Sequence, residues 1–98
     1  MAYELIWAPS ARLDLKELAS YIAESRPEAS TRFVEGIFHM IEHLPAFPQS
    51  GRIVPEFNDP SIREVIRRPC RIVYRIEANR QTIEIVRIWH AARGVPEL

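Results

Sequence analysis

The side chains able to do chemistry crowd the last third of the chain. Residues 61–98 hold eight arginines (Arg63, Arg67, Arg68, Arg71, Arg75, Arg80, Arg87 and Arg93) against four glutamates, a net of +4 with no lysine. Residues 1–60 hold five Lys/Arg against nine Asp/Glu, a net of −4. Guanidinium groups bind carboxylates and phosphates through a two-pronged fork, and can stabilise a developing anion. His90 and Trp89 stand among these arginines. Histidine is the side chain whose ordinary titration serves acid–base work near neutral pH. A basic half of this kind either meets an acidic partner or pairs with the acidic half of its own chain. Cys70, a lone thiol with no paired base in the sequence, reads as a small strand residue rather than a nucleophile.

Elements must hold these groups in place. Arg71 to Ile76 alternates, with Ile72, Tyr74 and Ile76 on one face and Arg71, Val73 and Arg75 on the other. Ile62–Arg67 and Thr82–Trp89 are further strands, and Glu77–Gln81 is a turn. Three strands joined by short turns form an antiparallel meander. If they align, Arg63, Arg67, Arg71, Arg75 and Arg87 make one basic sheet face. Upstream, Tyr3–Ala8 reads as a strand. Ser10 is a plausible N-cap for a helix to about Glu24, with Leu15, Leu18, Ala19 and Ile22 on its apolar side and Asp14, Lys16, Glu17 and Ser20 opposite. Pro27 suits the first position of a second helix, which Pro45 ends near Leu44. Phe33, Ile37, Met40, Ile41 and Leu44 share its apolar face. Residues 45–60 hold four of the eight prolines and read as a loop or a ragged edge. The expected fold is α+β: an N-terminal strand and an antiparallel helix hairpin packed on a C-terminal antiparallel sheet, one domain over residues 1–98.

Composition narrows the class. No apolar run approaches the roughly 20 residues that span a bilayer. The start, Met1-Ala2-Tyr3-Glu4, lacks the basic and apolar regions of a secretory signal. With one cysteine and no CxxC, neither an internal disulfide nor a structural zinc site is expected. The expectation is a cytoplasmic protein with no metal and no cofactor.

The segment Arg68-Pro69-Cys70-Arg71-Ile72-Val73-Tyr74-Arg75-Ile76 resembles the third-strand signature of the ParE/RelE toxins, an Arg-hydrophobic-Val-Tyr core. Ile83 to Arg93 resembles the ParE-type ending: a hydrophobic strand, a histidine and a nearby arginine. Ala8 to Ile22 resembles the family's first helix, and Pro48-Gln49-Ser50-Gly51 its loop after the second helix. The resemblance covers nearly the whole chain. It implies the toxin of a type II toxin–antitoxin pair, silenced by a ribbon-helix-helix, ParD-like antitoxin. It also implies one of two targets. RelE-like members cut mRNA in the ribosomal A site, whereas ParE-like members inhibit DNA gyrase.

Cleavage at a 2′-OH needs a base, an acid and a cation for the phosphorane. Under the RelE-like alternative, with ribosome and mRNA as partners, the resemblance implies Arg71 as the cation, His90 as the catalytic histidine and Arg93 as a phosphate-binding group. The set is incomplete. The family's C-terminal tyrosine is missing, the second arginine falls at Ala91 or Ala92, and no lysine follows Lys16. The ParE-like reading is therefore expected, with no catalytic residue. Its target-binding surface would be Arg67, Arg68, Arg71, Arg75, Arg87, Trp89, His90 and Arg93. The antitoxin-binding groove would be Leu15, Leu18, Ile22, Phe33 and Ile37.

Overall fold

The computed structural model describes residues 2–98. Strand β1 (Glu4–Trp7) leads into helices α1 (Pro9–Ala23) and α2 (Pro27–Ile41), then a 3₁₀ turn at Pro48–Ser50. Four strands follow: β2 (Arg52–Ile53), β3 (Ile62–Arg67), β4 (Cys70–Glu77) and β5 (Thr82–His90). Together they form one five-stranded sheet in the order β1-β5-β4-β3-β2. The meander β3-β4-β5 is antiparallel as its alternation predicts. The prolines start both helices, Pro9 and Pro27 each occupying the first turn, where an N–H would have no intrahelical partner.

Two features differ from the sequence reading. First, the sheet is mixed, because β1 lies parallel to β5 with Leu5 beside Ile83 and Trp7 beside Ile85. Second, the proline-rich stretch contributes the short edge strand β2, pairing Arg52 with Glu64 and Ile53 with Arg63.

The helix hairpin covers one face of the sheet. Phe33, Ile37 and Ile41 of α2 are buried against Ile72, Tyr74, Ile83, Ile85 and Ile88, with Ala11 of α1 among them. Each such isoleucine contributes roughly 1.5–3 kcal/mol of burial free energy. Helix α2 ends at Ile41, yet Leu44 stays buried, because a tight turn (Leu44 N–H to Ile41 O, 3.0 Å) folds it back under the helix.

Helix α1 also replaces β1 where that strand runs out. Ser10 does not cap the helix. Ala8 holds the cap position, and the Ser10 hydroxyl instead donates to Val86 O at 2.8 Å. Asp14 does not face solvent. Its carboxylate accepts from Ile88 N–H at 3.0 Å and from both prongs of Arg87 at 2.7 and 2.9 Å. Two α1 side chains thus serve backbone groups along β5 beyond the reach of β1, as an exposed sheet edge requires.

The opposite face is not bare. Val54 and Phe57 from the proline-rich loop fold over Val73, Val86 and Ile62 to form a second small core. Tyr74 ties this loop down from the helix side, accepting from Gly51 N–H at 3.0 Å and donating to Pro48 O at 2.7 Å. Gly51 has no room for a side chain, since a Cβ would lie 2.6 Å from both the Tyr74 hydroxyl and Glu64 O.

Candidate functional site

The register of β3 and β4 decides where the arginines go. Arg67 pairs with Cys70, and counting back places Ile66 opposite Arg71, Glu64 opposite Val73 and Arg63 opposite Tyr74. Directly opposed residues share a face. Arg63 and Arg67 therefore lie on the helix face with Tyr74 and Cys70, whereas Arg71, Arg75 and Arg87 lie on the loop-covered face. The single basic face expected from the sequence does not form, because Arg63 and Arg67 sit one position out of phase with Arg71.

On the loop-covered face the charges are spent internally. Arg71 is only 8% exposed. Its Nε donates to Glu64 at 2.6 Å, and its terminal nitrogens donate to both oxygens of Glu56 at 2.6 and 2.7 Å. Glu64 has no exposed side-chain surface and is also held by Arg52 at 2.7 Å. Two cations and two carboxylates thus close a neutral cluster around β2, β3, β4 and the loop. Its hydrogen bonds hold the Glu56 carboxyl down at about 2 and raise Arg71 above the ordinary arginine range. Arg75 pairs with Glu84 at 3.7 Å, and Arg87 with Asp14 at 2.7 Å.

Trp89 is an anchor. It is 1% exposed, and its indole N–H donates to Gly94 O at 3.1 Å. The Arg87 and Arg93 guanidinium groups lie 4.8 and 4.1 Å from its ring centroid, within cation–π range. His90 caps the following 3₁₀ turn (Ala91–Arg93), its Nδ1 accepting from Ala92 N–H at 3.1 Å.

One open cavity of about 820 Å³ gathers Arg52, Glu56, Arg68, Cys70, Arg71 and His90 at the end of the sheet. It brings together Arg71 and His90, two of the three residues a nuclease would need. Arg93 lies aside, lining a separate cleft with Asp14, Glu17 and His90. The register also sets His90 across from Cys70, but the thiol is 2% exposed and burial pushes it above its ordinary range, away from thiolate. Among the described residues no group of three or more His, Cys, Asp or Glu side chains is arranged to hold a metal ion.

The antitoxin residues expected from sequence also divide. Phe33 and Ile37 are enclosed in the core, whereas Leu15, Leu18 and Ile22 are half-buried and keep some surface.

Residues 5–95 match the family model described as the ParE toxin of the type II toxin–antitoxin system parDE. The chain belongs to the ParE toxin family. It is 31% identical over 94 residues to Y4kP of Sinorhizobium fredii, a protein named as a candidate toxin, with 94% of this chain and 92% of the relative covered. Its fold is that of the chromosomal ParDE toxin–antitoxin system from P. aeruginosa: TM-score 0.74, 23% identity, 91% of this chain and 96% of that one. The fold also matches the RelBE2 toxin–antitoxin complex of Mycobacterium tuberculosis, with TM-score 0.58, 23% identity, and 92% and 99% of the two chains covered.

Within this ParE-family fold, the residues that sequence reasoning missed are the carboxylates. Glu56, Glu64 and Asp14 decide which arginines remain free. A signal for Glu64 was present: with only Arg68 and Pro69 between the strands, the turn sets the register and brings Glu64 diagonally beside Arg71. Glu56 and Asp14 come from a loop and a helix, and no local pattern announced either.

Proposed function

We propose that this chain is a ParE-like toxin that inhibits DNA gyrase by binding it, without catalysis, and that a cognate ParD-like, ribbon-helix-helix antitoxin neutralises it in the cytoplasm. The observation that carries this reading is the state of Arg71. The one arginine matched to the nuclease strand position is bound by Glu56 and Glu64, so its charge is already balanced. A phosphorane would have to compete with two carboxylates at hydrogen-bonding distance. His90 stands near it but uses Nδ1 as an intrachain cap, and the cavity holds no tyrosine or lysine as a second acid or base. The exposed cations left at this end of the sheet are Arg68 and Arg93, which suit binding. Membership of the ParE family supports the same target class.

The test is a gyrase supercoiling assay run beside cleavage of ribosome-bound mRNA in a translating extract. Inhibition of supercoiling with intact transcripts is expected. Robust cleavage that disappears in His90→Ala would replace this reading with the RelE-like one.

A further inference from the structure

We infer that Arg67 is the anchor for a carboxylate of the antitoxin, and that Gly36 of α2 exists to receive its side chain. The inference rests on the toxin–antitoxin reading above. Arg67 ends β3 on the helix face and crosses to α2. A methyl group at position 36 would sit 2.7 Å from Arg67 Nε and 3.1 Å from Nη2. Only glycine lets the guanidinium lie this close to the helix. The edge formed by Nε and Nη2 is the fork that grips a carboxylate side-on. Here that edge is laid against α2, where Nε is buried with no acceptor.

The other arginines on the inner strands have acceptors: Arg71 has Glu56 and Glu64, Arg75 has Glu84, Arg87 has Asp14, and Arg63 donates to the carbonyls of Pro60 and Gly51. Arg67 forms no ion pair among the described residues. A buried guanidinium N–H without an acceptor is unfavourable, and supplying one relieves that cost. Its surroundings are open. Strand β2 covers β3 only at Arg63 and Glu64, so on the side away from β4 no strand borders Val65–Arg67, and neighbouring Ile66 is 40% exposed. Arg68 follows in sequence, and Arg32 lies one helical turn before Gly36; both are exposed.

The occupant is an acidic protein segment rather than nucleic acid. On the helix hairpin the exposed Glu17, Glu24, Glu28 and Glu35 interleave with the exposed Arg12, Lys16, Arg26 and Arg32, so the surface beside Arg67 offers no continuous cationic track of the kind a polyanion needs. A peptide with an isolated Asp or Glu places one carboxylate on Arg67 and apolar residues beside Ile66. On binding, the guanidinium turns its fork from Gly36 to that carboxylate.

The test measures affinity of the purified full-length chain for the purified antitoxin encoded in the adjacent reading frame, at two salt concentrations, with thermal midpoints alongside. Arg67→Gln is expected to weaken binding by about tenfold or more, with a flatter salt dependence and a nearly unchanged midpoint. Arg80→Gln, an exposed arginine on the β4–β5 turn, serves as the control and is expected to bind like the parent. Gly36→Ala, which displaces the parked side chain, is expected to retain or tighten binding. If Arg67→Gln fails to fold, Arg67→Lys carries the test, because it keeps the charge and loses the fork; a several-fold loss is then expected. Parent-like affinity in a folded Arg67 variant overturns the inference, as does a loss confined to binding of duplex DNA. Failure of the parent chain itself to bind overturns the antitoxin reading, a different outcome from failure of Arg67 alone.

Discussion

At the scale of single residues, the chain's arginines divide by their partners rather than by their number. Arg71 is held by two carboxylates, and Glu64 by two guanidinium groups, with no side-chain surface left on Glu64. Removing one member of such a set strands a charge in a dry place. Glu64→Ala is expected to destabilise the fold by about 3–5 kcal/mol in urea unfolding, and Glu64→Gln, which keeps the shape, by less. Unchanged stability of Glu64→Ala would mean the cluster is not closed in solution. Glu56 gives a pH dependence with a definite sign. Its carboxyl falls from 4.5 to about 2 in the folded chain, chiefly through its hydrogen bonds to Arg71. The unfolded chain therefore binds the proton more readily, and this contribution to stability is full above pH 4.5 and lost as pH falls toward 2. The thermal midpoint should drop through that window in the parent and drop less in Glu56→Gln.

At the scale of elements, the decisive device is the handover from β1 to α1 along the edge of β5. Strand β1 is four residues long and leaves the end of β5 unpaired on that side. Ser10 and Asp14, one turn apart on α1, take over the Val86 carbonyl and the Ile88 N–H. Asp14→Ala removes the acceptor for Ile88 and strands Arg87, so a loss of about 1–3 kcal/mol is expected. Hydrogen exchange provides the local readout: the Ile88 amide should exchange faster in this variant, while amides in the β3–β4 pair stay protected. Equal protection at Ile88 would show that Asp14 is not its partner.

At the scale of the whole molecule, both faces of the sheet are covered, one by helices and one by the proline-rich loop and the C-terminal tail. Surfaces open to partners include the end of the sheet, the edge of β3 at Val65–Arg67 and the half-buried flank of α1. A partner that binds only the folded chain raises its stability by mass action, by about 2.7 kcal/mol at 100 times Kd. The thermal midpoint of the toxin should therefore rise with antitoxin concentration, and growth arrest on expression should be relieved by co-expression. Under the gyrase reading, His90→Ala should leave growth arrest largely intact, because the histidine caps a turn and is not asked to move a proton. Loss of arrest in a folded His90→Ala protein would count against that reading.

The sequence alone determined the helix hairpin and the meander. Apolar spacing, Pro9, Pro27 and the alternation through Ile72, Tyr74 and Ile76 are local signals, and each acts within one element. Tertiary structure decided the rest. The parallel seat of β1 on β5 joins residues almost 80 positions apart, as in Glu4 beside Thr82, and no periodicity encodes such a pairing. The fate of each arginine depended on carboxylates from other elements: Glu56 from a loop, Glu64 from a neighbouring strand and Asp14 from a helix. Charge can be counted along a chain. Whether a charge is free to meet a partner depends on what folds against it, and here that left Arg71 neutralised and Arg67 waiting.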